Sequence, residues 1–186
     1  MKIICLTGMP GSGKSIIANI AREMGIPVLV MGDVVREEAE KRGIELTPNS
    51  LTKLALQLRL EYGPQIIAQR IVEKVKRLYR EHPVVLIDGV RSLDEIEYFR
   101  ENIENSTVIV IAVHSSPKTR FKRLLCRGRP GDPKSWSEFT LRDKRELEIG
   151  VGNVIALADY IIVNEGNIDE FLHKAKLLLE KVVRNG

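Results

Sequence analysis

The stretch Lys2-Ile3-Ile4-Cys5-Leu6-Thr7-Gly8-Met9-Pro10-Gly11-Ser12-Gly13-Lys14-Ser15 decides how the rest of the chain is read. Its first half is a short apolar run, rich in β-branched residues, of the kind that forms a strand buried on both faces. Residues 8–15 then fit the phosphate-loop pattern G-x-x-x-x-G-K-[ST] at every fixed position. Ile16, Ile17, Ile20 and Met24 follow at helical spacing, and Gly25 marks the stop. A strand feeding a glycine-rich turn and then a helix is the context that separates a phosphate loop from an ordinary turn.

The chemistry of that loop follows from its residue types. Glycines let the backbone take positive φ and turn successive N–H groups toward one point, with the positive end of a helix behind them. Gly8, Gly11, Ser12, Gly13, Lys14 and Ser15 are therefore expected to hold nucleotide phosphates. Lys14 would reach the β- and γ-phosphates, and the Ser15 hydroxyl would bind Mg²⁺.

Composition sets the surroundings. The chain has 186 residues, 44% of them hydrophobic and 29% charged, which suits one globular domain with a substantial core. No apolar run is long enough to span a bilayer, so no membrane partner is expected. Cys5 and Cys126 lie far apart and form neither a metal-spacing pair nor a disulfide framework. With a strand starting at the second residue and no signal-peptide pattern, a cytoplasmic location is expected. The net charge of +4 suits a site that gathers phosphates. Nucleic acid is the less favoured partner, because aromatics are only 5% of the chain and no stacking signature is present.

Further along, apolar runs at 27–30, 84–88, 108–113 and 160–163 predict four more strands, with helices filling the gaps. The second helix is expected from Asp33 to Gly43, with Asp33 as its cap. Thr47-Pro48 opens a third, and Pro64 a fourth that carries Ile67, Ile71, Val75 and Leu78. Ser92-Leu93-Asp94-Glu95 has capping-box spacing, Ser116-Pro117 opens another helix, and residues 167–170 start the last. The alternation predicts an α/β, doubly wound, parallel five-stranded sheet with helices on both faces. Two stretches exceed an ordinary crossover: a helical insertion at about 33–81 and a charged segment at about 127–145. The remaining core is about 1–32, 82–126 and 146–186, all in one domain.

Val84-Val85-Leu86-Ile87-Asp88 is an apolar strand that ends in an acid at the edge where open α/β sheets bind ligands. Asp88 is the expected second metal residue beside Ser15, holding Mg²⁺ through water. Arg127-Gly128-Arg129-Pro130-Gly131-Asp132-Pro133-Lys134 combines Gly and Pro with cations, and with Arg142 and Arg145 it reads as a short lid. Trp136 is expected to pack at the start of the helix after that lid.

These segments together resemble the nucleoside-monophosphate kinases, with adenylate kinase and dephospho-CoA kinase among them. Gly32-Asp33-Val34-Val35-Arg36 resembles the Gly-Asp-x-x-Arg of adenylate kinase, which makes Arg36 a ligand of the acceptor phosphate. Asp88-Gly89-Val90-Arg91 resembles the family's Asp-Gly-Phe-Pro-Arg, with Val90 in place of Phe-Pro, and implies Arg91 as a second acceptor ligand. Arg123 and Arg127 resemble the arginine pair at the foot of the lid, and residues 158–166 resemble the last strand and turn of dephospho-CoA kinases, placing Asn164 near the adenine. The whole chain is most similar to an archaeal family described as adenylate-kinase- or dephospho-CoA-kinase-related.

The resemblance implies an ATP- and Mg²⁺-dependent transfer of the γ-phosphate to a nucleotide-like small acceptor. Lys14 and Arg127, with Arg129 and Arg142 in the lid, would neutralise the moving group. Asp33 separates two acceptors: a phosphate needs no strong base, whereas a hydroxyl, as in dephospho-CoA, could give its proton to this carboxylate. A regulatory or RNA-associated ATPase is the alternative of another class, and oligomeric state is left open.

Overall fold

In a computed structural model of the chain, which describes residues 1–78 and 81–184, the five apolar runs form one all-parallel sheet. Its strands are β1 (Lys2–Thr7), β2 (Val28–Val30), β3 (Val84–Asp88), β4 (Thr107–His114) and β5 (Tyr160–Val163), in the order β2-β3-β1-β4-β5. Residues 79, 80, 185 and 186, which the expected insertion and core boundaries include, lie outside the described residues.

Strand periodicity splits the core into two layers. Ile3, Cys5, Val85, Ile87 and Val110 face one side of the sheet, and Ile4, Leu6, Leu86, Ile111 and Val113 face the other. The second side is covered by α1 (Lys14–Glu23) and α9 (Ile168–Arg184). The first is covered by α2 (Met31–Lys41), α3 (Pro48–Tyr62), α4 (Ile66–Leu78), α5 (Leu93–Asn102) and a one-and-a-half-turn α8 (Val151–Ala156). Two more helices follow the carboxyl end of β4: α6 (Pro117–Arg127), and α7 (Trp136–Ile149), which packs on α6 through Phe121, Trp136 and Phe139.

One boundary and one additional helix differ from expectation, each for a physical reason. Helix α2 begins at Met31 and not after Asp33, because Met31 and Val34 are buried against the sheet and draw the helix directly off β2. Its N-cap is Val30, which makes no side-chain cap bond, so Asp33 is not a cap and sits inside the first turn. There a carboxylate is still favoured by the helix dipole. Helix α8 was not expected at all; its six residues are too few to show a period.

The expected Ser92–Glu95 capping box is present at α5. Glu95 is completely buried, accepts from the backbone N–H groups of Arg91 (2.8 Å) and Ser92 (3.4 Å), and also from Nη2 of Arg59 on α3 (3.1 Å). One carboxylate thus ties the turn after β3 to the helical segment packed on the sheet. Removing a partner from a buried pair strands the other charge, so Glu95→Ala is expected to cost about 3 kcal/mol of folding stability in denaturant titration. Glu95→Gln, which keeps the cap, should recover part of that. A loss below about 1 kcal/mol for Glu95→Ala would mean that Arg59 carries no buried charge debt.

Candidate active site

The site grows from the carboxyl end of β1, the central strand, where the chain must leave the sheet between β3 and β4. The Thr7 hydroxyl donates to the Val90 carbonyl (2.8 Å) and pins the strand end to the turn after β3. Gly8 has φ +146°, and a Cβ there would stand 2.5 Å from the Val113 carbonyl, so no other residue fits between the strands. Gly13, at φ +106°, is the left-handed N-cap of α1 and lies against the Asn164 amide. The first turn of α1 carries no acidic residue, so nothing there competes with an anion for the helix N-terminus.

Lys14 sets the electrostatics of the loop. Its ammonium donates to the Gly8 (2.5 Å) and Met9 (3.3 Å) carbonyls. Burial lowers its pKa to about 8, against the pull of Asp88, which favours the charged form. Asp88 ends β3, paired in register with Leu6 of β1. Burial pushes its carboxyl up and Lys14 draws it down. Among the described residues, three buried side-chain atoms have no hydrogen-bond partner: Asp88 Oδ1, Ser12 Oγ beneath the loop beside Gly8, and Arg59 Nε on α3. Buried polar atoms without partners are rare, and the one on Asp88, beside Lys14, suits a ligand that uses it. Ser15, at the second position of α1, is exposed toward solvent.

The residues expected on the acceptor side are charge-paired. Arg36 Nη1 bonds Asp33 Oδ1, with both side chains about half exposed (50% and 52%). Gly32 lies beneath that guanidinium. Arg91 Nε reaches Glu146 Oε2 of α7 (3.0 Å), while the Arg91 backbone is held by Glu95.

Of the segment expected to be a lid, about 127–145, the part between α6 and α7 is a loop, 128–135, organised on one carboxylate. Asp132 accepts from Arg127 Nε (2.8 Å) and Nη2 (2.5 Å), from Arg142 Nη1 (3.2 Å) and from the Arg129 backbone (3.1 Å). The Arg127 bonds bring the Asp132 pKa to about 2. At the loop tip Gly131 rests on Pro48 at the start of α3. Arg123 stands apart from these three arginines. Its guanidinium bonds Ser115 Oγ (2.9 Å) and the Asn164 carbonyl (3.0 Å) and Oδ1 (3.1 Å). Asn164 is buried and donates from Nδ2 to the Ser12 carbonyl (2.9 Å). Its amide is therefore spent on the loop and on Arg123. Trp136 begins α7 as expected and stacks edge-on against Phe121 (centroids 5.3 Å apart) and beside Phe139 (5.1 Å).

Sequence reading missed Asp132, Asp143, Glu146 and the buried Arg120. Each sits in a charge-rich stretch that looks solvated by composition. A partial signal existed: Phe139, Asp143 and Glu146 follow Trp136 at helical spacing, which aligns them on one face.

A family model described as an AAA domain matches residues 7–140. A UPF0200 protein of Hyperthermus butylicus is 53% identical over 184 residues, covering 99% of this chain and 96% of the relative. The chain belongs to the UPF0200 family. Among solved structures, a dephospho-CoA kinase from Campylobacter jejuni aligns with this UPF0200 protein at TM-score 0.61 and 17% identity, covering 98% of each chain. A shikimate kinase from Bacteroides thetaiotaomicron aligns at TM-score 0.60 and 18% identity, covering 96% of this chain and 98% of the other. The fold is thus that of the P-loop kinases. Among the described residues, no helix is long and apolar enough to cross a membrane.

The lowered Lys14 pKa makes a measurable statement about this UPF0200 protein. Phosphates beside Lys14 would favour its ammonium and raise the pKa from about 8. Binding of Mg-ATP should therefore take up protons above that pH, approaching about one per site near pH 9, and fewer near pH 7 where Lys14 is already charged. Calorimetric titrations in two buffers of different ionisation enthalpy measure the uptake. Equal uptake in Lys14→Met would assign the proton to another group.

Proposed function

We propose that this UPF0200 protein is an ATP- and Mg²⁺-dependent phosphotransferase that moves the γ-phosphate to a small nucleotide-like acceptor. The observation that carries the reading is Lys14 at an acid-free helix N-terminus with the carboxylate of Asp88, whose buried Oδ1 has no partner among the described residues, close enough to act on its charge. The P-loop kinase fold supports it.

The residues divide the work by position. Loop amides from Gly8 to Ser15, with Lys14, hold and polarise the donor phosphates. The donor set suits a hard cation that keeps most of its water: one hydroxyl at Ser15 and one carboxylate at Asp88. A bound Mg²⁺ would supply charge neutralisation to the donor phosphates. Asn164 fixes the loop and Arg123 on the adenine side. The segment 33–81 forms the acceptor lobe, with Arg36 and Arg91 ready to exchange Asp33 and Glu146 for an acceptor anion. Residues 127–145 form the lid, in which Arg127, Arg129 and Arg142 surround the moving group and closure keeps out water. A cytoplasmic setting, where ATP is abundant, belongs to the same reading.

A second acceptor is favoured by one observation. Asp33 has no capping duty and keeps a half-exposed carboxylate beside Arg36. With Oδ1 held by Arg36, Oδ2 could accept a proton from a hydroxyl as that oxygen bonds the γ-phosphorus and the bridging bond to ADP breaks.

ADP release from Mg-ATP, measured against nucleoside monophosphates, dephospho-CoA and single-stranded RNA, tests the proposal. One small molecule should raise turnover strongly, and Lys14→Ala should cut that turnover by about three orders of magnitude or more without unfolding the protein. Full turnover in a folded Lys14→Ala protein would remove the mechanism, and stimulation by RNA alone would favour a regulatory ATPase.

On whichever acceptor is found, Asp33→Asn distinguishes the two chemistries. A phosphate acceptor should lose little, whereas a hydroxyl acceptor should lose about 10²- to 10⁴-fold in kcat.

A further inference from the structure

Arg120 is a cation with 3% of its surface exposed, and a charge that deeply placed persists only where close partners offset its lost hydration. It has partners on three segments. Nε donates to the Ser115 carbonyl at the end of β4 (3.1 Å). Nη1 donates to the Pro10 carbonyl inside the phosphate loop (3.2 Å). Nη1 and Nη2 grip both oxygens of Asp143 on α7 (2.8 and 2.5 Å), and the guanidinium lies 4.9 Å from the Phe139 ring centroid. Its own backbone also packs on the loop, since a Cβ at Gly11 would stand 3.0 Å from the Arg120 carbonyl oxygen.

Helix α7 presents Trp136, Phe139, Asp143 and Glu146 along one face. Its two inward carboxylates clasp two arginines of different character. Glu146 holds the part-exposed Arg91 on the acceptor side, and Asp143 holds the buried Arg120 on the donor side. The residue before Asp143 is Arg142, which bonds Asp132 of the loop 128–135. A bidentate arginine–carboxylate pair fixes orientation as well as distance. One planar guanidinium therefore joins the Pro10 carbonyl of the loop to Asp143, the neighbour of Arg142.

We propose that Arg120 is a positioning residue that couples the phosphate loop to α7, so that phosphates seated in the loop set the place of α7 and Arg142. The inference rests on the phosphotransferase reading and adds to it a route by which donor binding arranges the lid. The buried Arg120–Asp143 pair is the pivot, and the more exposed Arg91–Glu146 pair is the one that yields.

Trp136 is the one tryptophan of the chain and begins α7, so its emission reports the helix directly. Purified full-length protein is titrated with Mg²⁺ and the slowly hydrolysed analogue ATPγS, following emission and, separately, heat. Wild type should show a saturable change in both. Arg120→Lys keeps the charge but loses the planar fork; it should bind about tenfold more weakly and lose most of the Trp136 response. A folded Arg120→Lys protein with wild-type affinity and full response, even at a lower melting temperature, would overturn the coupling and leave nucleotide binding standing. Wild type that gives neither heat nor emission change would overturn the phosphotransferase reading and this inference with it. Hydrogen exchange on wild type needs no variant: amides 11–14 and 139–143 should gain protection together when Mg-ATPγS binds, and protection confined to the loop would overturn the proposal.

Discussion

Everything in this molecule depends on the burial of β1 at the centre of the sheet. A strand covered on both faces and paired on both edges has all its backbone groups satisfied until it ends. At Gly8 the pairing stops, and the next N–H groups must find acceptors elsewhere. The chain meets that demand with a turn whose amides converge on one point at the start of α1. Because β3 and β4 are the neighbours, the same point is flanked by Asp88 on one side and by Ser115 and α6 on the other. The site is thus a consequence of strand order, and the residues that would act there are delivered by three separate strand ends.

The second constraint is the handling of charge. Arginines near the site are matched to carboxylates: Arg36 to Asp33, Arg91 to Glu146, Arg120 to Asp143, and Arg127 with Arg142 to Asp132. A pair as exposed as Arg36–Asp33, and in part those whose arginine is open to solvent, contributes little to stability, because water and salt screen such pairs. They keep guanidinium forks oriented while leaving them able to exchange partners. The buried pair behaves differently. Arg120 cannot leave Asp143 without stranding both charges, so it fixes geometry where the others permit motion.

The fold was legible in the sequence because its signals are apolar and local. All five strands lie where short β-branched runs predicted them, and most helices start at a residue with capping chemistry. Asp33 misled because a good capping residue stood two positions inside a helix whose start was set by burial of Met31, a tertiary effect. The phosphate-loop residues and Asp88 were legible because one contiguous motif and one strand end contain them. The clasp around α7 was not. Arg120 and Asp143 are 23 residues apart, and both sit among charges that composition assigns to solvent. Only the tertiary fold reveals that one of them is buried.

The balance of charge also bears on the acceptor. A site built to hold a phosphate dianion gains most when its arginines face no nearby carboxylates, since each like charge adds repulsion. Here Asp33 stands in the first turn of α2, bonded to Arg36, and Glu146 stands against Arg91. If Arg36 and Arg91 hold the acceptor, as proposed, a phosphate acceptor would displace two carboxylates or share arginines with them. An acceptor that offers a hydroxyl to Asp33 and a single anionic group to Arg91 fits the same residues with fewer exchanges. The donor side has no such ambiguity: the first turn of α1 is free of acids, and Lys14 has only backbone carbonyls as hydrogen-bond partners. On the proposed reading, an acid-free helix N-terminus on the donor side stands against charge-balanced arginines on the acceptor side, and the acceptor is selected at Asp33, Arg36 and Arg91.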